Sequence, residues 1–312
     1  MLQKALITGA AGFIGSNLTK KLLNNNVQVL AIDDFSSGKQ SNLPSKHKNL
    51  YVKEISILDD NLDNLLLDFR PDITYHLAAQ ISVSSSTKNP VYDAKVNIIG
   101  SINLLESIKT FNNHKFVYIT SGGTVYGEPK NLPALESYHA EPLSQYGASK
   151  YSVENYLGIY NRLYKTRYSI LRLANVYGPN QDPHGEAGVV AIFIKAILSN
   201  SNFQIYGDGK DQRDYIYIDD VINAIVLAGE SNKYGPFNIG TGIGTSTNKI
   251  FSLIAKYCQF SKNPMYADPR IGDINKIILD ITKAKEEINW SPKLSLDEGI
   301  RKTVEWFKNN HH

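Results

Sequence analysis

The sequence predicts an α/β fold: a doubly wound parallel sheet with a smaller C-terminal domain woven onto it. Three observations carry this prediction. Short apolar runs rich in branched residues alternate with longer stretches of helical period through the first half. A glycine-spaced turn, "TGAAGFIG", joins the first apolar run to the first helical stretch. Past about residue 175 the alternation gives way to short strands and helices in mixed order. With 312 residues, 42% apolar and 20% charged, the chain has the composition of an ordinary globular protein with a sizeable core.

The elements follow in order. "KALIT" (4–8), "VQVLAI" (27–32), "ITYHLA" (73–78) and "KFVYIT" (115–120) read as buried strands. "GSNLTKKLLNN" (15–25), "SINLLESIKT" (101–110) and "SKYSVENYLGIYNRLY" (149–164) read as helices. "YSILRLA" (168–174) is a further strand, and 176–188 is a loop crowded with Gly, Pro, Asn and Asp. A helix near 189–199, strands near 203–206 and 214–218, and a helix from about 219 come next. "PFNIG" (236–240) is a strand, followed by helices near 245–257, 281–288 and 295–309. The expected division is a cofactor-binding domain over 1–174, to which segments near 214–245 return, and a substrate domain mainly over 175–312.

Charge narrows the partners. Thirty-three basic against 30 acidic residues leave +3, too mild for a nucleic-acid or anionic-membrane surface. A single cysteine, Cys258, excludes an internal disulfide and a multi-cysteine metal site, so no metal is expected. Neither a signal peptide nor an apolar run of membrane-spanning length is read, which predicts a soluble, cytoplasmic protein. His311 and His312 end a polar tail and receive no role.

Gly9, Gly12 and Gly15 stand directly after the first strand and open the first helix. Small residues there let backbone amides approach a pyrophosphate, whose charge is favoured at a helix N-terminus. This is a Rossmann-type context, and "AIDDF" follows the second strand about 20 residues on. An acidic side chain at that point hydrogen-bonds a ribose diol and repels a 2′-phosphate, so Asp33, with Asp34 beside it, predicts NAD over NADP. Tyr146 and Lys150 lie four apart at the start of a helix and hence on one face. A phenol normally ionises near pH 10, and a neighbouring ammonium lowers that value toward use as a base.

With "HLAAQISV", "SGGTVYGEP", "YGASK", "LRLANVYGP", "IYGDGKDQRDYIYIDDV", "FNIGTG" and "PRIGDI" in that order, the chain resembles the NAD-dependent nucleotide-sugar epimerase/dehydratases. These are extended short-chain dehydrogenase/reductases, and the likeness is strongest to their 4-epimerases. The resemblance covers nearly the whole chain. It implies that Tyr146 and Lys150 are the acid/base pair, and that NAD is a resident cofactor touching Gly9, Gly12, Phe13, Ile14, Gly15, Asp33 and Asp34. It further implies cofactor contacts at Ser56, Ile57, Leu77, Ala78, Ala79 and Asn97. Ser56 replaces the aspartate that usually meets the adenine amine. His76 is read as a packed histidine and not a proton carrier.

The family's motif hydroxyl falls at Gly122 here. Thr124 is the first substitute, since a strand residue two before Tyr126 shares its face, and Ser121 is the second. On the nucleotide-sugar side the resemblance implies Ser82, Tyr126, Asn175, Gly188, Val189, Arg213, Arg270 and Asp273. The two arginines suit diphosphate oxygens. Ile277 stands where side-chain bulk bears on tolerance for an N-acetyl group. Dehydratases carry an extra acid pair where this chain has Gly123 and Thr124, which disfavours dehydration.

The expected activity is therefore NAD-dependent 4-epimerisation of a UDP-hexose, the glucose/galactose pair first, through a transient 4-keto sugar. N-acetylated or uronic UDP-sugars, a decarboxylase or reductase, and a non-catalytic NAD scaffold are the alternatives. A homodimer through helices at 91–111 and 145–164 is expected.

Overall fold

The computed structural model describes residues 2–184, 188–269 and 274–310. Strands β1 (Lys4–Thr8), β2 (Gln28–Asp33), β3 (Leu50–Glu54), β4 (Ile73–His76), β5 (Lys115–Ser121), β6 (Arg167–Leu173) and β10 (Pro236–Ile239) form one seven-stranded sheet. Its order is β10-β6-β5-β4-β1-β2-β3, and every pairing is parallel. Such a sheet needs cover on both faces, and the strands are built for it. Ala5, Ile7, Val29, Ala31, Val117 and Ile119 face one apolar cluster. Leu6, Leu30, Ile32, Phe116 and Tyr118 alternate with them and face a second.

The first cluster is closed by α1 (Phe13–Asn24) and α9 (Ile218–Glu230), through Leu18, Leu22, Val221 and Ile225. The second is closed by α2 (Leu62–Phe69), α5 (Gly100–Ile108) and α7 (Gln145–Tyr164), through Leu66, Leu104, Leu105, Val153 and Leu157. Before α5 the chain runs through α3 (Val83–Lys88), α4 (Pro90–Ala94) and a π-helical turn at Lys95–Ile99. The sequence reads a helix at 101–110 and a longer interface helix at 91–111 here, and it leaves out β3 and α2. The β3 strand is an edge: most of its residues are exposed or half-buried, so it lacks the apolar run by which the inner strands are recognised.

Beyond β6 a smaller layer gathers around β9 (Gln212–Tyr217). It pairs with β7 (Asn175–Tyr177) and β13 (Lys276–Ile277) in parallel, and with β11 (Gly244–Ser246) antiparallel. β8 (Gln204–Tyr206) pairs with β12 (Met265–Ala267), and helices α8 (Val189–Leu198), α10 (Thr247–Cys258), α11 (Thr282–Ile288) and α12 (Leu296–Asn310) complete the chain. A four-residue helix, α6 (Gly122–Val125), caps β5. Among the described residues no helix is long and apolar enough to cross a membrane. Strand order reverses at the β1–β4 border, so a crevice opens beyond the C-terminal strand ends, where open α/β sheets bind ligands.

Candidate active site

That crevice is a cavity of about 530 Å³. One end is built from backbone. Gly9 has φ +67°, and a Cβ on it would lie 2.7 Å from the Ala78 nitrogen. The turn and the end of β4 therefore touch in a way that a side chain forbids. A Cβ on Gly15 would sit 2.1 Å from the Gly9 carbonyl oxygen, which is how closely α1 packs on the turn. Gly12 is the N-cap of α1, with no side-chain cap and no acid in the first turn. The helix start at Phe13, Ile14 and Gly15 thus presents uncapped amides on the cavity wall, a ready anion site.

Asp33 closes this end. Its Oδ2 accepts from the Ala11 N–H at 2.8 Å and its Oδ1 from the Phe35 N–H at 2.9 Å. Burial raises its pKa, and those two amides work against the rise. Each oxygen keeps a second lone pair for a diol. Asp34, Ser56, Ile57, Leu77, Ala78 and Ala79 also line the wall.

The other end is built from side chains. Ser144 caps α7 by accepting from the Gly147 N–H at 3.1 Å, and the first two turns bring Tyr146 and Lys150 to the wall, where Ser121 arrives from the end of β5. Lys150 is almost wholly buried, with its Nζ 4.4 Å from the centre of the Tyr118 ring. Burial pushes the Tyr146 phenol up to about 12 and pulls Lys150 down to about 7.

A hydrogen-bonded chain joins the two ends. The Leu77 and Ala78 amides donate to Thr8 Oγ1, and Ser101 Oγ donates to the Asn97 carbonyl. Thr8 Oγ1 lies 2.7 Å from His76 Nδ1, and Ser101 Oγ lies 2.8 Å from His76 Nε2. With Ser101's proton committed, Nε2 must carry the ring proton, and Thr8 donates to Nδ1. His76 is thus a neutral linking group, its pKa lowered by burial and then by Lys150 to about 3. Asn97, one residue of the π-helical turn, fixes Gln80: its Oδ1 accepts from Gln80 N at 2.8 Å, and its Nδ2 donates to Gln80 O at 3.0 Å.

The structure corrects two expectations about the sugar end. Residues 122–125 are helical, so the alternation of a strand does not put Thr124 beside Tyr126. The Thr124 hydroxyl instead turns back toward the Ser121 carbonyl at 3.5 Å, and Thr124 is not part of the cavity wall. A side chain at 122 would have to displace the end of Leu279, whose Cδ1 would lie 2.6 Å from its Cβ. Beside it, Ser121 Oγ and Asn175 Oδ1 approach Gly123, at 3.6 and 3.8 Å from where a Cβ there would sit. The second correction concerns Tyr126 and Ile277. Both are buried in a small apolar cluster with Ala134 and Leu279, and the Tyr126 hydroxyl is taken up by Asn238 and Arg172. Neither faces the cavity.

Ser82 is on the wall, whereas Gly188, Val189 and Arg213 lie away from it in the smaller layer. Arg270 and Asp273 lie outside the described residues. Gln80, Asp93 and Ser149 were missed. The Asp93–Asn97 spacing on a helix was the available signal for one of them.

Residues 5–240 match the family model described as "NAD dependent epimerase/dehydratase family". The chain belongs to this family. It is 46% identical over 310 residues to the UDP-glucose 4-epimerase of Mycolicibacterium smegmatis, covering 98% of this chain and 99% of that one. Among solved structures it is similar to the Thermotoga maritima UDP-glucose 4-epimerase with UDP-glucose, at TM-score 0.96 and 46% identity over 99% of this chain and 100% of that one. A second likeness is the Thermus thermophilus UDP-glucose 4-epimerase complex with NAD, at TM-score 0.91 and 38% identity, covering 99% and 100%. The family's cofactor is NAD, and the cavity fits it on its own terms. The glycine turn leaves no room for side chains, the first amides of α1 are uncapped, and a carboxylate ends β2.

Proposed function

We propose that this protein interconverts UDP-glucose and UDP-galactose by NAD-dependent 4-epimerisation. The observation that carries this reading is a single cavity whose wall runs from the glycine turn and Asp33 to Ser121, Tyr146 and Lys150. Tyr146 takes the proton of the sugar 4-hydroxyl and later returns it. Lys150, charged, favours the phenolate. The glycine turn, the start of α1 and Asp33 would hold NAD, which would supply a hydride acceptor and donor for carbon 4 and a positive ring in the same cavity. Burial alone pushes Tyr146 and Lys150 away from a phenolate–ammonium pair, so added positive charge acts in the required direction.

Ser121 orients the reacting hydroxyl, and Asn175 across Gly123 holds the diphosphate. Ser82, Gly188, Val189, Arg213, Arg270 and Asp273 complete the nucleotide-sugar contacts. Gly123 and Thr124 offer no acid pair for dehydration, and the small Gly122–Gly123 pair favours a keto sugar that turns. The assembly is inferred to be a homodimer through α4, α5 and α7, where Val91, Ile99, Ile159 and Leu163 are exposed. Sedimentation equilibrium at micromolar concentration tests it, and a monomer there would refute it.

The activity is tested on purified protein with UDP-galactose and no added NAD, followed by proton NMR of the anomeric region. UDP-glucose should appear without any net change in reduced-nicotinamide absorbance. An unchanged spectrum from protein carrying NAD would refute the hexose pair and favour N-acetylated or uronic UDP-sugars.

A further inference from the structure

Two buried carboxylates stand near Lys150, and they are treated differently. Glu154, one turn along α7, is answered by Arg172, whose Nε and Nη2 donate to it at 2.5 to 3.2 Å. Asp93, on α4, is 1% exposed, and no ion pair among the described residues includes it. Its partners are neutral amides. Asp93 Oδ1 accepts from Gln80 Nε2 at 2.7 Å and from Asn97 Nδ2 at 3.0 Å. Asn97 Nδ2 also donates to Ser149 Oγ at 3.2 Å, and Ser149 Oγ donates to the Tyr146 carbonyl at 3.0 Å. A buried, unneutralised charge is thereby wired to the first turn of α7, and through Gln80 to the cavity wall.

We propose that Asp93 is a positioning residue whose negative charge sets the working pH range of the Tyr146–Lys150 pair. The inference rests on the reading of that pair as the proton-transfer machinery. An anion beside two titratable groups raises the proton affinity of both. After the larger effect of burial, Asp93 acts on Tyr146 and Lys150 in that direction, and Glu154 adds to it at Lys150. The other groups facing the pair are muted. His76 on β4 is held neutral by burial, with its pKa near 3, and burial raises the Tyr118 phenol on β5 well above its ordinary range. Glu154 is ion-paired with Arg172. This leaves Asp93 as the uncompensated charge among these groups.

Asp93→Asn separates charge from shape. Both hydrogen bonds reach a single oxygen of Asp93, which an amide oxygen can replace. Losing the anion makes the phenolate easier to form and the ammonium easier to lose. Both limbs of the kcat–pH profile for UDP-galactose epimerisation should therefore move to lower pH together, by about one unit. KM should change less than about twofold, because the interaction lost is not one that binds the substrate in its ground state. The phenolate absorbance of substrate-free holoprotein, taken as a difference from Tyr146→Phe, should shift the same way. Asp93→Glu, which keeps the charge, should leave the limbs in place.

Limbs and phenolate titration that coincide with wild type, however far kcat falls, would overturn the proposal and leave Asp93 a packing residue. If wild type proves inactive on UDP-galactose, the phenolate titration still decides the matter, so failure of the functional reading is seen separately. Should Asp93→Asn not fold, Asp93→Ser removes the same charge and is read identically.

Discussion

The two ends of the cavity solve the same problem with different materials. The cofactor end is nearly all backbone from one contiguous stretch, residues 9–15, with Asp33 tied to its amides. The sugar end is nearly all side chain, drawn from β4, α4, the π-helical turn, β5 and α7. A Cβ added at Gly9 or Gly15 would come within 2.1 to 2.9 Å of backbone atoms, so the first end is governed by sterics. The second is governed by charge and hydrogen bonding in a buried setting, where low dielectric magnifies each group. A methyl group should therefore disable one end, while the other should respond in graded steps.

The largest effect is expected at Gly15→Ala. Its Cβ would meet the Gly9 carbonyl oxygen at 2.1 Å, and neither the turn nor α1 has a flexible side chain to move aside. A destabilisation of about 3 kcal/mol and loss of bound NAD should appear in the melting temperature and in the cofactor content of purified protein. Full NAD content with an unchanged melting temperature would break the steric half of the comparison.

The next effect concerns His76, which joins the two ends through Thr8 and Ser101. Its pKa is lowered from an ordinary 6.5 to about 3. Above the ordinary value both folded and unfolded chains are neutral, and its contribution to stability is fully present. As pH falls through the window, the unfolded chain takes up a proton that the folded one refuses, and stability is lost at up to about 1.4 kcal/mol per pH unit. Denaturant unfolding of wild type and His76→Gln from neutral to acid pH should show a shallower slope in the variant. Parallel slopes would mean that His76 does not link the ends in the manner described.

The smallest effect sharpens the sugar end. Ser121→Ala should lower kcat about tenfold, the worth of one neutral hydrogen bond at the upper end of its range. Thr124→Val, off the wall and facing the Ser121 carbonyl, should change it less than about twofold. The reverse ranking would restore Thr124 as the motif hydroxyl.

Legibility in the sequence follows the same division. Gly9, Gly12 and Gly15 could be read because a turn between a strand and a helix is a local event: Gly12 and Gly15 answer to backbone a few residues away, and Gly9 to its own positive φ as well as to Ala78. The inner strands were legible for a related reason: burial on both faces demands an unbroken apolar run. The edge strand β3 has no such demand and was missed. Tyr146 and Lys150 were visible as a pair because one helical turn brings four-residue spacing onto one face. Thr124 lies off the cavity wall because the chain turns helical at Gly122, which the strand alternation of the sequence does not announce.

The sequence by itself determined the parallel sheet, the dinucleotide turn and the tyrosine–lysine pair, since each is written in spacings shorter than about 20 residues. Tertiary structure alone decided that Ser121 lines the cavity and Thr124 does not. It also decided that Tyr126 and Ile277 are core, and that Asp93 lies unneutralised near the reacting groups. Those outcomes depend on side chains that meet across 13 to 112 residues of chain, and no local pattern specifies what stands opposite a residue once the sheet has closed.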